Sequence, residues 1–387
     1  MASGDLVTEF AGRRGPLFGL AFKSAILTVL TLGIYRFWMK TRLRRYYWSS
    51  VRPGGHPLEY VGEPIEKLLG FLIAVVVLAF YIGVVNLILM FLSFAILNGN
   101  IAAYILSFIG VIPIWFYALY RARRYVLART RWRGLRFGLE PGAWGYAWRV
   151  LAHWAVTILS LGLLWPRMTF WLEKYKTDRT SLGDLRLHQG GRWQGLYPAY
   201  GPMFLFLVVS ILSVGMSAAG RPEFLPVAVI AALFLPWAFV LYRVKSLKYL
   251  TNNKSAGGLG LTANPRTGRI FAILVGGYLM IGVVLGALSV LLGIIVAVRF
   301  GIGFAVTGDL DVSAGLGTIT GLIVYFLIFV FWVVLRHVWI TLPTWRHYAE
   351  TLEVTGAYGL GAVNQRARDE FQEAEGFAEA LDLGAAI

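Results

Sequence analysis

The sequence predicts an all-α integral membrane protein with about six transmembrane helices. It also predicts two short re-entrant or interfacial helical hairpins, and small cytoplasmic β-hairpins after the helix ends. Hydrophobic residues make up 58% of the 387-residue chain and charged residues only 14%, whereas a soluble domain has about 25% charged residues. Several apolar runs exceed the roughly 18 residues that indicate a transmembrane helix. A basic, aromatic-rich motif follows an apolar run at five places.

Six apolar runs are long enough to cross a hydrocarbon core of about 30 Å. They occupy residues 68–97, 101–120, 202–220, 225–242, 270–298 and 317–340. Two shorter runs, residues 17–34 and 150–165, end in the related motifs Leu-Thr-Leu-Gly and Leu-Ser-Leu-Gly. We divide the chain into a polar N-terminal segment (1–16), a single membrane domain (17–363) and an acidic C-terminal tail (364–387).

The five basic motifs share one pattern, in which a basic and aromatic helix end is followed by Thr, Ser or Asn and then by a glycine turn. They lie near residues 31–62, 121–142, 165–191, 243–263 and 336–361. In the first four an alternating strand follows the turn, and this order is typical of a helix that runs into a β-hairpin. The membrane domain is therefore predicted to consist of repeated helix–β-hairpin units.

The positions of the basic residues predict the topology. If both short runs enter and leave by the same face, all 36 Lys and Arg except Arg221 and Arg299 fall on one side. Because basic loops remain in the cytoplasm, we expect both termini to be cytoplasmic. Gly33 and Gly162 then lie at the tips of two partial hairpins. The alternative is eight simple crossings, which would place the first or the third basic motif outside.

Three passages resemble the YjgN family of bacterial multi-pass inner-membrane proteins, whose function is not established. They are TLGIYRFWMKTRLRRYYWSS…GHPLEYVG…LLGFLIA, RYVLARTRWRGLRFGL…LSLGLLWPRM and the C-terminal GFAEALDLGAAI. The similarity extends over essentially the whole chain. It implies a location in the bacterial inner (plasma) membrane, and it implies no catalytic residues.

Motifs for catalysis or metal binding are missing from the sequence. The chain has no Cys and five His, and it lacks the H-E-x-x-H, G-x-S-x-G and Walker-type patterns. We therefore expect a non-enzymatic protein without a metal or a cofactor. The basic residues adjoin apolar runs, which indicates a cytoplasmic membrane face and not a nucleic-acid partner.

The basic motifs predict contact with anionic lipid headgroups, since each Lys or Arg near such a surface contributes about 1 kcal/mol. The residues predicted to make this contact are Arg44, Arg45, Arg123, Arg124 and Lys174. We expect a protein that transports, senses or organises a lipid or small amphiphile at the cytoplasmic leaflet.

The alternative function is a structural or assembly subunit of a larger membrane complex, whose partner is another membrane protein or a second copy of the chain. Gly282 and Gly286 form a small-x-x-x-small pair, which predicts close helix packing. The acidic tail is predicted to pack on the basic face as a helix or latch, and a disordered tail is the alternative.

Overall fold

A computed structural model describes residues 4–365, except residues 81–82, 85, 98–100 and 301–312. Helices dominate the described chain. They are α1 (Arg14–Leu30), α2 (Arg36–Ser50), α3 (Pro64–Phe80), α4 (Asn86–Leu97), α5 (Ile101–Ala128), α6 (Ala143–Leu159), α7 (Trp165–Thr177), α8 (Tyr197–Ala218), α9 (Leu225–Asn252), α10 (Thr267–Phe300), α11 (Ser313–Arg336) and α12 (Leu342–Glu350). A π-helical turn, His337–Thr341, joins α11 to α12.

Strands follow several of the helices, and they show that the prediction of an all-α protein is wrong. The described residues contain two antiparallel sheets, with the strand orders β2-β1-β11-β10-β9-β8 and β3-β4-β5-β6-β7. The strands are β1 (Leu6–Phe10), β2 (Val51–Pro53), β3 (Leu58–Tyr60), β4 (Thr130–Trp132), β5 (Leu135–Leu139), β6 (Thr180–Leu182), β7 (Leu185–Arg186), β8 (His188–Gln189), β9 (Lys254–Ala256), β10 (Leu259–Ala263) and β11 (Leu352–Thr355). The predicted hairpins do not remain separate, because each one hydrogen-bonds to a strand from another part of the chain.

The two sheets meet at both edges, so that their strands form a ring in the order of the sequence. A turn at Gly54 and Gly55, with φ of 60° and 78°, joins β2 to β3. Between β7 and β8 lies only Leu187, whose N–H donates to the carbonyl of Thr180 at 2.9 Å. β1 closes the arrangement because it pairs with β2 on one side and with β11 on the other. We call these eleven strands the strand ring.

Apolar side chains from both sheets pack together inside the strand ring. The buried members of this cluster are Trp132, Leu182, Ala256, Leu259, Val354 and Leu360. Leu360 belongs to the 3₁₀ turn Ala357–Ala362, which therefore packs against the interior of the ring. Removing these side chains from water is the main force that holds the short strands together, because so few backbone hydrogen bonds join each pair.

The five helices that lead into the ring end with the same side-chain hydrogen bond. In each case a Ser, Thr or Asn donates to the backbone carbonyl four residues earlier, at 2.6–2.8 Å. The donors are Ser50, Thr130, Thr180, Asn253 and Thr351. Such bonds compete with the backbone N–H for the carbonyl and favour helix ends over helix interiors. They explain why a short polar residue precedes each turn into a strand.

Four helical segments of the described chain are long and apolar enough to cross a membrane. They are Trp193–Ala218, Pro222–Asn252, Thr267–Ile295 and Thr320–Glu350. The predicted count of six spans is therefore wrong. The run predicted at 68–97 is divided between α3, with 17 residues, and α4, with 12, and each is shorter than the roughly 20 residues that a crossing requires. The helix over the run predicted at 101–120 is not among the four.

Candidate functional site

The two short apolar runs fold into helical hairpins that have the same turn. α1 and α2 form the first hairpin, and α6 and α7 form the second. In each turn a glycine N–H donates to the carbonyl five residues earlier, from Gly33 to Thr28 at 2.7 Å and from Gly162 to Thr157 at 2.8 Å. This bond is typical of a Schellman motif, which ends a helix in a sharp reversal. Gly33 and Gly162 therefore lie in the turns of the two hairpins.

The turns carry apolar side chains that point away from the protein. Leu32 is 93% exposed and Leu161 is 87% exposed, and Leu30, Ile34 and Leu159 beside them are also exposed. Contiguous exposed apolar side chains indicate contact with a membrane or another protein. The hairpin tips are therefore suited to a hydrocarbon environment.

A cavity of about 480 Å³ lies between the first hairpin and α11. Phe326, Phe329 and Val29 contribute to its apolar wall, and Arg36 and Lys40 also line it. The two basic residues are one helical turn apart on α2, so their side chains project from the same face of the helix. The cavity thus combines two cationic groups with an apolar wall.

This cavity lies beside the middle of the apolar run 317–340. Its lining includes the turn residues Leu32 and Gly33 together with Phe326. Phe326 is about 15 Å along the helix from Arg336, by the rise of an α-helix. That distance is about half of a hydrocarbon core of roughly 30 Å. The turn of the first hairpin therefore lies beside the middle of this apolar run on α11.

The second hairpin has no equivalent pair of basic residues. When the two turns are aligned on their glycines, Trp165 and Thr169 take the places of the two cavity cations. The hydroxyl of Tyr200 donates to the carbonyl of Gly162 at 2.7 Å, and the hydroxyl of Tyr242 donates to Thr169 Oγ1 at 2.7 Å. Trp165 packs on the same two tyrosines. The second hairpin is thus held against α8 and α9 by aromatic side chains.

Arg44 and Arg45, which were predicted to contact headgroups, both bond within the protein. Arg44 is only 1% exposed, and its Nη1 donates to the hydroxyl of Tyr60 at 3.2 Å. Arg44 is therefore buried against Tyr60, and lipid contact by Arg44 stays a prediction. Arg45 Nη2 donates to the carbonyl of Gly62 at 2.9 Å. Lipid contact by the exposed Arg45 stays a prediction.

The other three predicted headgroup residues are Lys174, in the third basic motif, and Arg123 and Arg124, in the second. Lys174 Nζ is 2.8 Å from Asp178 Oδ2. Arg123 Nη2 is 3.9 Å from Glu173 Oε1, and Arg124 is half-buried on the same helix, α5. Internal contacts therefore occupy Lys174 and Arg123, while lipid contact by the three residues stays a prediction.

Glu173 joins α7 to the strand ring. Its carboxylate oxygens lie 2.8 Å from Lys254 Nζ, on β9, and 2.8 Å from Lys176 Nζ. Burial by itself would raise the pKa of the Glu173 carboxyl, but Lys176, Lys254 and Arg123 lower it more, so this pKa lies well below its usual range. Glu173 is therefore ionised in the folded protein, and it links α7 to the ring by charge.

Gly282 and Gly286 do not make the predicted close contact with another helix within the described chain. A Cβ atom at either position would meet no described atom within 4 Å. The close approach occurs at Gly277, where a Cβ atom would lie 2.6 Å from Ile340 Cγ1 and 3.2 Å from the carbonyl oxygen of Trp339. Packing at Gly282 and Gly286 between two copies of the chain stays a prediction.

The predicted acidic latch, residues 364–387, lies outside the described residues except for its first two. The N–H of Asn364 donates to Asp184 Oδ1 at 3.0 Å, and Gln365 Nε2 donates to the carbonyl of Gly134 at 2.7 Å. These bonds attach the start of the tail to the β6–β7 turn and to the β4–β5 turn.

Sequence reasoning missed Arg36 and Lys40, since α2 contains many basic residues and none stands out by spacing. The signal that could have found them is a comparison of the two hairpins, because Arg36 and Lys40 of the first correspond to Trp165 and Thr169 of the second. Within the described chain, no group of three or more His, Asp or Glu side chains could hold a metal ion.

Comparison with known proteins identifies a family. The model of the bacterial proteins of unknown function called DUF898 matches residues 5–380. No curated protein and no solved structure matches the chain. The family match covers nearly the full length and agrees with the three motifs that resemble the YjgN family, which is DUF898. The four helical segments of the described residues that could cross a membrane fit a membrane protein of unestablished function. The chain belongs to DUF898, the YjgN family of bacterial proteins of unknown function.

Proposed function

We propose that the protein binds an anionic amphiphile, without chemical change, at the cytoplasmic leaflet of the bacterial inner membrane. The anionic head would lie beside Arg36 and Lys40, and the apolar chain would lie along Phe326 and Phe329 of α11. The cavity of about 480 Å³ that these residues line is the observation that supports this function best. A purely structural hairpin needs no charged cavity, as the second hairpin illustrates.

The depth of the cavity supports an amphiphile over a free anion. Charged side chains inside a bilayer are costly and usually serve a function. Irregular backbone at that depth is tolerated where it lines a cavity or is covered by protein. An amphiphile fits such a cavity, because its anionic head would lie beside the two basic residues and its chain would fill the apolar part. Such binding would serve transport, sensing or organisation of the lipid.

We also propose which side of the membrane the strand ring faces. β1 and β11 pair with each other, so the two ends of the described chain lie together. Many basic residues lie on the helix ends and hairpins of the strand ring, which by the positive-inside rule favours the cytoplasmic side for the ring and both termini. The first hairpin would then enter the cytoplasmic leaflet from the ring side.

A lipid-retention experiment tests the proposal. The protein is reconstituted with equal amounts of phosphatidylglycerol and phosphatidylcholine, purified gently, and examined by native mass spectrometry. The double variant Arg36→Gln/Lys40→Gln should lose retained phosphatidylglycerol, and its affinity should fall about 30-fold if each cation contributes about 1 kcal/mol. The matched control is Lys23→Gln/Arg42→Gln, which removes the same charge from exposed positions of the same hairpin and should retain the lipid.

Two results would contradict the proposal. Equal loss of phosphatidylglycerol in both double variants would mean that only the overall charge of the hairpin attracts the lipid. Displacement of the lipid by glycerol phosphate at the same concentration would mean that the site recognises a soluble anion and has no use for its apolar wall.

The second candidate function is an assembly subunit of a larger membrane complex. One observation favours it, namely that a Cβ atom at Gly282 or Gly286 on α10 would meet no described atom within 4 Å, which leaves room for a partner helix. Purification in a mild detergent would separate the two functions. A stoichiometric protein partner that is lost in Gly282→Leu/Gly286→Leu would favour the assembly role, while retained lipid in an isolated chain would favour amphiphile binding.

A further inference from the structure

The second hairpin carries a group of cationic side chains where α6 packs on α7. This group is separate from the cavity at the first hairpin, which we call the hairpin cavity. Arg149 and His153 are one turn apart on α6 and therefore share a face. From α7, Arg167 Nη1 donates to His153 Nδ1 at 3.3 Å. The Cζ atoms of Arg149 and Arg179 lie 4.6 and 3.7 Å from the ring centroid of Tyr175. We call Arg149, His153, Arg167 and Arg179 the cationic patch.

The charge of the cationic patch is not balanced within the described chain. No described Asp or Glu side chain lies within 4.0 Å of its three arginines. Burial lowers the pKa of the His153 imidazole, and the charges of Arg167 and Arg149 lower it further. The imidazole is therefore neutral at pH 7, which agrees with its role as the acceptor for a guanidinium that can only donate. Three positive charges remain for an anion from outside to balance.

The guanidinium groups of the cationic patch can be reached from outside. Arg149 is exposed, and its Nη1 donates to the carbonyl of Gly145 at 2.9 Å. Arg167 and Arg179 are half-buried, but none of their donors is among the buried side-chain atoms that lack a partner in the described chain. Their unbonded donors therefore reach the surface. The planar fork of a guanidinium is well suited to phosphate oxygens.

The surface around the cationic patch indicates which anion it meets. Trp144 and Trp148 of α6 are 53% and 62% exposed, and Trp side chains favour the level of the lipid headgroups. Beyond Arg149, every exposed position of α6 is apolar, up to Leu159 at 84% exposure. A soluble anion or a nucleic acid would leave this apolar border in water. A phospholipid would cover it with its acyl chains and place its phosphate beside the arginines.

We propose that the cationic patch binds the phosphate of an anionic phospholipid from the surrounding bilayer, with Arg149 and Arg167 as the main donors. The site is an open surface, so its lipid exchanges with the bilayer and does not have to survive purification. It shares no residue with the hairpin cavity, and therefore either site can fail its test without affecting the other. Such a lipid would hold the second hairpin at the level of the headgroups.

The test uses His153 as a reporter inside the cationic patch. The full-length protein is labelled with ¹³C-histidine and placed in nanodiscs of phosphatidylglycerol or phosphatidylcholine. The His153 signal among the five histidines is identified by its loss in His153→Gln. One negative charge about 6 Å from the ring should raise the titration midpoint by about 0.5–1 pH unit. We therefore expect a midpoint higher by about that amount in phosphatidylglycerol than in phosphatidylcholine.

Two double variants separate the cationic patch from the general charge of the membrane surface. Arg149→Gln/Arg167→Gln should reduce the difference between the two lipids to the part that the anionic surface itself produces. Arg133→Gln/Arg192→Gln removes the same charge from exposed turn positions of the chain and should keep the full difference. The conservative Arg149→Lys/Arg167→Lys should keep most of it. The other four histidine signals report the fold, and if the first variant perturbs them, the exposed Arg149→Gln alone replaces it.

A further variant and a soluble anion complete the experiment. Arg36→Gln/Lys40→Gln, which alters only the hairpin cavity, should keep the full response of His153. Glycerol phosphate added to phosphatidylcholine nanodiscs should leave the midpoint unchanged, because a soluble anion lacks the acyl chains that cover the apolar border.

Four outcomes would overturn the proposal. The first is the same His153 midpoint, below the ordinary value of about 6.5, in both lipids. The second is an undiminished lipid difference in the folded Arg149→Gln/Arg167→Gln variant. The third is an equal rise with glycerol phosphate, which would identify a soluble anion as the ligand. The fourth is a midpoint at or above about 6.5 in both lipids, which would show that an acidic side chain of the protein already balances the patch.

Discussion

At the scale of single residues, Leu32 and Leu161 each adopt a backbone conformation that bulky side chains avoid. Their φ angles are 50° and 51°, in the left-handed region that costs an L-residue about 1–2 kcal/mol. A glycine would fit the same turn without this cost. Both leucines also expose nearly the whole side chain. Insertion of the exposed side chain into hydrocarbon would compensate for the strained backbone.

We therefore predict that residue 32 lies within the hydrocarbon of a reconstituted bilayer. The chain has no Cys, so Leu32→Cys can be spin-labelled without background. Electron paramagnetic resonance should show that the label collides more often with oxygen, which dissolves in lipid, than with a water-soluble nickel chelate. Ser49→Cys, at the exposed end of α2, is the control and should favour the nickel chelate. A label at residue 32 that favours nickel would place the tip in water.

At the scale of elements, each helix that leads into the ring depends on a hydroxyl or amide at its end. Thr180 is buried, and its Oγ1 donates to the carbonyl of Lys176 at 2.8 Å. We predict that Thr180→Val, which keeps the branched shape, lowers the free energy of unfolding by about 1 kcal/mol, the usual value of one hydrogen bond. Thermal unfolding in detergent measures the change. Thr262→Val, at an exposed strand position, is the matched control, and an equal effect there would contradict the role of the helix end.

The charge link between α7 and β9 gives an element-scale prediction about pH. The pKa of Glu173 is lowered in the folded state, so its ionised form stabilises the fold above the ordinary glutamate pKa of about 4.3. This stabilisation is lost as the pH falls from there through the lowered pKa of the folded state. Glu173→Gln should lower the free energy of unfolding at pH 7 by about 2 kcal/mol, below the roughly 3–5 kcal/mol of a fully buried pair, because it leaves partly buried cations without their partner.

Unfolding curves at pH 7 and at pH 3.5 test this link. The difference between the wild type and Glu173→Gln should be large at pH 7 and smaller at pH 3.5. Glu350→Gln is the control, since its partner Arg346 is 4.0 Å away and both side chains are about half exposed. A constant difference between wild type and Glu173→Gln across the pH range would contradict the ionic role.

The helix ends and turns could be predicted from sequence, but the pairing between them could not. The polar residue and glycine of each motif act locally, so their pattern indicates where a helix stops and a strand begins. The pairing of β3 with β4, or of β10 with β11, joins strands that are separated by long helices, and strands of two to five residues carry little information about register. β1 (Leu6–Phe10) lies within residues 1–16, whose composition predicts a polar segment and no strand.

The hairpin cavity was also beyond sequence reasoning, for a different physical reason. Basic residues occur on all faces of α2, so helical spacing does not distinguish the buried Arg44 from Arg36 and Lys40, which line the cavity. That distinction arises from tertiary packing, because Arg44 bonds to Tyr60 of β3, whereas Arg36 and Lys40 face a cavity that α11, from the far end of the chain, helps to line.

At the scale of the whole molecule, the first strand and the last strand close the ring together. Val7 lies opposite Glu353 across the β1–β11 pair, and both side chains are exposed. We predict that a disulfide in Val7→Cys/Glu353→Cys raises the free energy of unfolding, by at most about 6 kcal/mol in the chain-entropy model for a loop of this length. Thermal unfolding with and without reductant measures the gain.

The single variant Val7→Cys is the control for this cross-link, and it should show no dependence on reductant. Failure of the two cysteines to form a disulfide under mild oxidation would contradict the β1–β11 register. A disulfide that forms but lowers stability would indicate that the ring is distorted when its ends are joined.

This closure also has a consequence for synthesis in the cell. β1 leaves the ribosome first, but its partner β11 ends at Thr355, and translation at about 5–20 residues per second separates the two by about 20 to 70 s. During this interval β1 and the growing sheet have open edges, which are prone to pair with other chains. A chain that stops before β11 cannot complete the ring. Premature termination would therefore leave an exposed strand edge, by which quality-control factors could distinguish incomplete chains from finished ones.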